Sequence, residues 1–520
     1  MTVIKTPGAR RWWALAAVSL GVLAVGLDGT VLTVALPTLA NALHASESDL
    51  QWFTSGYFLV LAASMLPAGL LGDRFGHKKV LVIALALFGV GSVACAYSAS
   101  VGEFLAARVL LGLAGAGVVV MAISALTFLF SKEERPKAVG IWAAANFLSL
   151  PVGPILGGWM LSHFWWGWVF LINAPVAALG VFALVTLVPE SRSPERPGFD
   201  FLGIALSVAG LVSLTYGFIE AGEKGWSDPT ALVSMLIGVV VLVGFGAWER
   251  LLYRRPSGQP LLDLSLFPSA SFTWGVILAA FAVLAMIGVL FTMPQYFQGV
   301  LGTDAMGSGL RLLPVIFGLV LGAVPAERIV RVVGAKLVAA AGFLLLAIGL
   351  FIGSTTGVGS STVFVAVWMA VAGMGLGLAL STSTSAALVE LSEERSGVGS
   401  AVLQAVNKVG GPFGTAILGS ALSSVYLSRL VLTGLPNAAA TAVRQSVFAG
   451  VAVAQQTGSA SLLQSVRSAF TGGMDVALVV SAGIAVAGLL LTLLFLPRSN
   501  ALQDNQAVQP DMGRELAGIR

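Results

Sequence analysis

The chain is poor in charge. Only 10% of its 520 residues are Asp, Glu, Lys or Arg, against about 25% in an average soluble chain. A single cysteine, Cys95, excludes an intrachain disulfide. Three scattered histidines beside that cysteine give no metal-ligand spacing. There is no phosphate-cradling G-x-x-x-x-G-K-[ST] loop, which argues against nucleotide hydrolysis. We expect no cofactor and no enzymatic chemistry. The net charge of +4 is too small and too dispersed to suggest nucleic acid. No cleavable signal peptide is evident either, because Arg10 and Arg11 precede an apolar run as long as a full span.

What is abundant is apolar sequence: 57% of the residues are hydrophobic. Runs longer than the roughly 18 residues that indicate a spanning helix recur along the whole chain. The expected fold is an all-α integral membrane protein with about fourteen spans. The first six lie near 13–36, 50–71, 80–98, 104–130, 138–161 and 168–188. Two more fall near 201–219 and 231–249. The last six lie near 272–297, 309–327, 336–353, 362–387, 397–425 and 476–496. The 62 glycines suit such a bundle, because small residues let helices approach closely in lipid.

Loop charges set the orientation. Arg10, Arg11, Arg74, Lys78, Lys79, Lys132, Arg135 and Lys137 fall on one side of the alternating spans, joined later by Arg254, Arg255, Arg331 and Lys336. Basic loops stay in the cytoplasm, so both termini are expected there, in the cell membrane. The outer loops from His44 to Asp49 and from Ser98 to Glu103 carry no Lys or Arg. Residues 426–475 read as a long outer loop containing a surface helix. The segment Pro325 to Lys336 echoes Gly69 to Leu81: each places charged residues and a Gly-x-Lys after a span. Paired halves of this kind are expected of transporters that rock around a midplane site. The domains are then a six-helix bundle over 1–195, two inserted spans over 196–260, a second bundle over 261–500 and a cytoplasmic tail over 501–520.

Few polar residues sit inside spans, and such residues are functional by default because they are costly in lipid. Asp28 lies well inside the first span, where a carboxyl can hold a proton or a cation, one at the expense of the other. The alternative is a structural Asp bonded to Thr30 or Thr33. Arg108 lies in the fourth span, with Asp28 as a physical partner or backbone carbonyls as a structural one. Ser149 to Gly158, S-L-P-V-G-P-I-L-G-G, predicts a kinked, closely packed fifth helix. Lys408 lies inside the thirteenth span. It would repel a doubly charged substrate, or pair with Asp28, Glu390 or an anion, or snorkel to the cytoplasm. Glu220 falls near the outer interface of the seventh span.

Several of these stretches resemble one family. Gly69, Leu71, Asp73, Arg74, Gly76 and Lys78 fit the G-x-L-x-D-R-x-G-x-K loop signature of the major facilitator superfamily of secondary transporters. Asp28, Thr30, Ala35, Leu36 and Pro37 match the D-x-T and A-L-P of its fourteen-span drug/proton antiporter branch. Arg108 and Gly112 match R-x-x-x-G, and Gly153, Pro154, Gly157 and Gly158 match the antiporter motif G-P-x-x-G-G. Trp168, Phe170, Asn173 and Pro175 fit W-x-F-x-x-N-x-P. Pro294, Gln298, Gly302, Gly309, Leu313 and Pro314 fit the ninth-to-tenth helix turn. The resemblance implies two six-helix halves plus two central helices. It implies proton-driven export of a lipophilic small molecule, with cationic drugs among the candidates, by a monomer. It gives Asp28 and Arg108 a part in coupling and makes Asp73 and Arg74 a cytoplasmic latch. An exporter dedicated to one natural product or lipid-like metabolite is the nearer alternative, and a non-transporting receptor or sensor the remote one.

Overall fold

The structure is a computed structural model that describes residues 8–130, 134–190, 200–255, 264–389 and 393–497. Every regular element among them is helical. The first part of the chain forms α1 (Gly8–Ala42), α2 (Glu47–Phe75), α3 (His77–Ala96), α4 (Val101–Leu129), α5 (Arg135–His163), the single turn α6 (Trp168–Leu171) and α7 (Asn173–Leu187). Next come α8 (Phe201–Lys224) and α9 (Pro229–Tyr253). The remainder forms α10 (Ala270–Gln295), a π-helical turn Tyr296–Val300, α11 (Ala305–Arg311), α12 (Leu313–Val333), α13 (Ala335–Gly353), α14 (Thr362–Val389), α15 (Glu393–Arg429), α16 (Asn437–Gln445), α17 (Val447–Gln456) and α18 (Ala460–Phe495). Eleven helical stretches among the described residues are long and apolar enough to cross a membrane. The chain is therefore a multi-pass membrane protein.

Local chemistry sets the helix ends. Ser46 and Asp49 form a reciprocal capping box at the start of α2. Asp200, Asp228, Ser269, Asp304 and Ser459 each accept a backbone N–H in the first turn of the helix they precede. Two tight joins repeat. Gly76 (φ 109°) separates α2 from α3, and Gly334 (φ 86°) separates α12 from α13. Both backbones are in a region closed to side chains. Both N–H groups donate back to the fourth residue before, Gly72 at 2.9 Å and Val330 at 2.8 Å. The faint sequence echo between these loops is thus a repeated piece of geometry.

The helices gather into two groups. In one, α1 packs on α5 and α7, α4 on α2 and α3, and α3 on α7. In the other, α14 packs on α12 and α13, and α10, α15 and α18 pack on one another. The groups meet where α2 lies along α15 and where α5 meets α11. Helix α8 docks on both α15 and α2, and α9 packs chiefly on α8. Most of α9 faces outward: Leu236, Val240 and Val243 are all exposed.

The stretch read as a long loop over 426–475 is mostly helical. Helix α15 continues to Arg429, α16 and α17 follow, and α18 begins at Ala460, well before the expected span. The Tyr426 hydroxyl ties the turn together, donating to the carbonyls of Val443 at 2.8 Å and Ser446 at 3.2 Å. Helix α17 then packs against α18 and α1. Short alternating Ala, Val and Gln residues suit small helices with one buried face.

Candidate functional site

Two charged residues buried in the first group of helices, Asp28 and Arg108, meet each other. Arg108 Nη1 donates to Asp28 Oδ2 at 2.6 Å, and neither side chain is exposed at all. The arginine also donates from Nε to the Phe53 carbonyl at 3.2 Å. Its guanidinium lies 4.1 Å from the centre of the Tyr57 ring. Tyr57 is held in turn by its hydroxyl on the Val25 carbonyl at 3.3 Å. So α1 supplies the acid, α4 the base and α2 a carbonyl and a ring.

Sequence explains this convergence. Gly112 follows Arg108 by one turn, and a Cβ there would stand 2.7 Å from the Tyr57 carbonyl. The missing side chain lets α4 lie close enough to α2 for Arg108 to reach Phe53 and Tyr57. Two sites on the pair stay open: Asp28 Oδ1 and Arg108 Nη2 are buried and have no hydrogen-bond partner among the described residues. Unsatisfied polar atoms in such a place are costly and mark a site where chemistry is unfinished. Thr30 and Thr33, the structural partners considered for Asp28, bond elsewhere. Thr30 donates to the carbonyls of Gly26, Leu27 and Ser149, and Thr33 to that of Thr30.

Helix α5 runs unbroken from Arg135 to His163 and uses its glycines on two neighbours. A Cβ at Gly153 would collide with the Thr30 side chain, and one at Gly157 would stand 2.9 Å from Val31, both on α1. On the other side, a Cβ at Gly158 would meet the Ala305 carbonyl at 2.6 Å. Gly309, on α11, abuts the carbonyl of Pro154. This motif therefore joins the acid-bearing helix to the opposite half of the molecule.

The halves also share polar contacts. Gln295 donates to Glu47 Oε1 at 3.2 Å, Gln298 to the Val34 carbonyl at 3.1 Å and Ser55 to the Pro412 carbonyl at 3.3 Å. Gln298 sits in the π-helical turn, a distortion common at functional positions. The first two of these contacts lie where α1 ends, α2 begins and α10 ends. The sequence places Glu47 in the outer loop from His44 to Asp49, yet it is buried, as are Gln51 and Gln295. Sequence reasoning missed them; the signal that could have found them is their polar character inside or beside apolar runs.

The remaining expected residues are more scattered. Gly69 lies in α2, where a Cβ would make only ordinary contact with Val120. Arg74 is exposed, with its guanidinium 5.8 Å from the centre of the Phe75 ring. Lys78 donates to the Val185 carbonyl at 2.7 Å, and Arg10 donates to that of Thr186. Both cations thereby cap the carbonyl end of α7, where the helix dipole favours positive charge. Glu220 pairs with Lys224 at 2.7 Å on α8. The Asp73 side chain, the Lys408 side chain and Glu390 lie outside the described residues, although the backbones of Asp73 and Lys408 lie in α2 and α15.

A two-group helical membrane bundle with a buried acid–base pair defines a transporter-like architecture. Comparison with known proteins gives the family. Residues 18–415 match the Major Facilitator Superfamily, and the chain belongs to it. It is 32% identical over 507 residues to the tetracenomycin C resistance and export protein of Streptomyces glaucescens, covering 94% of this chain and 93% of that one. It is 31% identical over 497 residues to the multidrug efflux pump LfrA of Mycolicibacterium smegmatis, covering 93% and 95%. The fold also matches the crystal structure of a bacterial homolog of the human lysosomal transporter Spinster, with a TM-score of 0.66 at 18% identity over 94% of this chain and 98% of that one.

Proposed function

We propose that the chain is a proton-coupled antiporter that exports lipophilic drugs or antibiotics across the cell membrane by alternating access. The observation that carries the reading is the Asp28–Arg108 pair, buried at 2.6 Å in a chain whose near relatives bear the names of export and efflux proteins. Ionised Asp28 balances Arg108 in a fully buried site. A proton on Asp28 removes its charge and frees the guanidinium to rebond to neighbouring carbonyls. An element with two such arrangements is what a coupled transporter needs. The glycine contacts of α5 with both α1 and α11 link that change to the packing of the two halves.

Fourteen spans are part of this reading. Helices α2, α5 and α15, of 29, 29 and 37 residues, would complete the set. Facing other helices rather than lipid, they need not be uniformly apolar. Lys78, Lys79, Arg254, Arg255, Arg331 and Lys336 then fall at the cytoplasmic end, with both termini. Asp73 and Arg74 would form the latch there. Lys408 would set the substrate charge, and Glu220 an outer contact.

The test is proton-gradient-driven movement of ethidium in proteoliposomes, comparing wild type with Asp28→Asn. Movement in wild type that is lost in the variant is expected. Equal movement in both removes Asp28 from coupling, and no movement in either counts against multidrug export. A second reading, export of one natural product, draws on the relative named for tetracenomycin C. It predicts loss of a single compound from the medium, with no change in general drug sensitivity.

A further inference from the structure

Asp28 also lines a cavity of about 130 Å³ whose walls all belong to the first group of helices. Its walls are α1, α5 and the α6–α7 segment, including Leu27, Val31, Leu156, Met160 and Val176. The slot exists because α5 and α7 both pack on α1, while α5 meets only the single turn of α6 beside it. The walls are almost wholly apolar. The polar exceptions are Asp28 and Asn173, exposed by only 2% and 3%. Each has an atom without a partner among the described residues: Asp28 Oδ1, an acceptor, and Asn173 Nδ2, a donor. A native interior seldom leaves both an acceptor and a donor open beside one void.

These features restrict what fits. A void of about 150 Å³ with aliphatic walls holds one benzene ring. Arg108 already balances Asp28, so a cation in the slot would meet the arginine's charge. A water chain would find too few polar partners along these walls. The two open atoms call for one group that both donates and accepts. We infer that this slot is a binding site for the neutral phenolic ring of a lipophilic substrate, its hydroxyl donating to Asp28 Oδ1 and accepting from Asn173 Nδ2. The inference deepens the export reading by naming a substrate class. Asn173 becomes a specificity-determining residue, because it reads the hydroxyl oxygen and not the ring.

The experiment uses the full chain in lipid nanodiscs, with 4-fluorophenol as the probe followed by fluorine NMR. Saturable binding of 4-fluorophenol is expected, and about tenfold weaker binding of 4-fluoroanisole, which keeps the ring and lacks the donor. Asn173→Leu, which keeps the volume and removes the amide, is expected to weaken binding of both probes, since each has an oxygen that accepts from Nδ2, while the preference for the phenol, set by Asp28 Oδ1, persists. Val176→Phe fills the slot and should abolish binding of both probes, with circular dichroism checking that each variant folds. Equal binding of phenol and ether by wild type would overturn the inference and show an apolar slot suited to acyl chains. Undiminished binding in Val176→Phe, or no saturable binding by wild type, would overturn it too. Ethidium transport is read separately in the same preparation. Ethidium transport without phenol binding sinks this inference alone, and phenol binding without ethidium transport counts against multidrug export alone.

Discussion

At the scale of single residues, Asp28 and Arg108 dominate. Each was legible as an anomaly, a charge in the middle of an apolar run. Their 2.6 Å contact was not legible, because 80 residues separate them and sequence holds no record of which helix faces lie together. The pair gives a sharp expectation. Arg108→Met leaves a carboxylate buried without its partner, a change that costs about 3–5 kcal/mol. Asp28→Asn combined with Arg108→Met removes both charges. The double variant should melt in detergent at a higher temperature than Arg108→Met alone, a non-additivity that a double-mutant cycle measures. Additive losses would mean that the two groups do not depend on each other. Lys78 carries a different lesson. Its place in a loop signature suggests a gate, and its bond to Val185 ties that loop to a helix in its own half. A spacing pattern identifies a residue without naming its partner.

At the scale of elements, small residues decide which helices touch. The run from Gly153 to Gly158 was readable as a close-packing surface, since glycines one turn apart expose backbone. That it faces two helices at once, α1 through Gly153 and Gly157 and α11 through Gly158, depends on the three-dimensional arrangement. Helix α11 answers with Gly309, against the Pro154 carbonyl. Gly309→Ala should therefore push α11 away from α5 and loosen the contact between the two halves there. With a reporter cysteine at Gln298, the alanine variant should react faster with a membrane-impermeant maleimide than its glycine counterpart. Unchanged labelling would show that this contact does not hold the halves together. The stretch over 426–475 reads as an outer loop with a surface helix, and it holds more helix than that for a related reason. Its apolar residues are too few and too short-ranged to read as spans, but enough to bury one face of a small helix against α18 and α1.

At the scale of the whole molecule, the distribution of basic residues predicts orientation. Cys95 is buried, so its replacement by serine gives a background without thiols. On that background, Lys79→Cys should be labelled only after the membrane is permeabilised. Thr433→Cys, between α15 and α16, should be labelled in intact cells. The reverse pattern would invert the topology. Both sites are exposed, so failure to label cannot be put down to packing.

What the sequence determined by itself follows from short-range physics. Lipid demands long apolar helices, basic loops stay in the cytoplasm, and charge inside a span must be kept for a purpose. Long apolar spans, the echo between the two halves, the anomalous charges Asp28 and Arg108 and the close-packing glycines were legible from those rules. The tertiary structure alone decided the partners: Arg108 with Asp28, Lys78 with α7, Glu47 with Gln295, and Asn173 beside the same void as Asp28. Contacts between distant helices depend on how each helix is rotated about its axis. In a bundle apolar on nearly every side, hydrophobic periodicity does not fix that rotation; close packing of small and large side chains does.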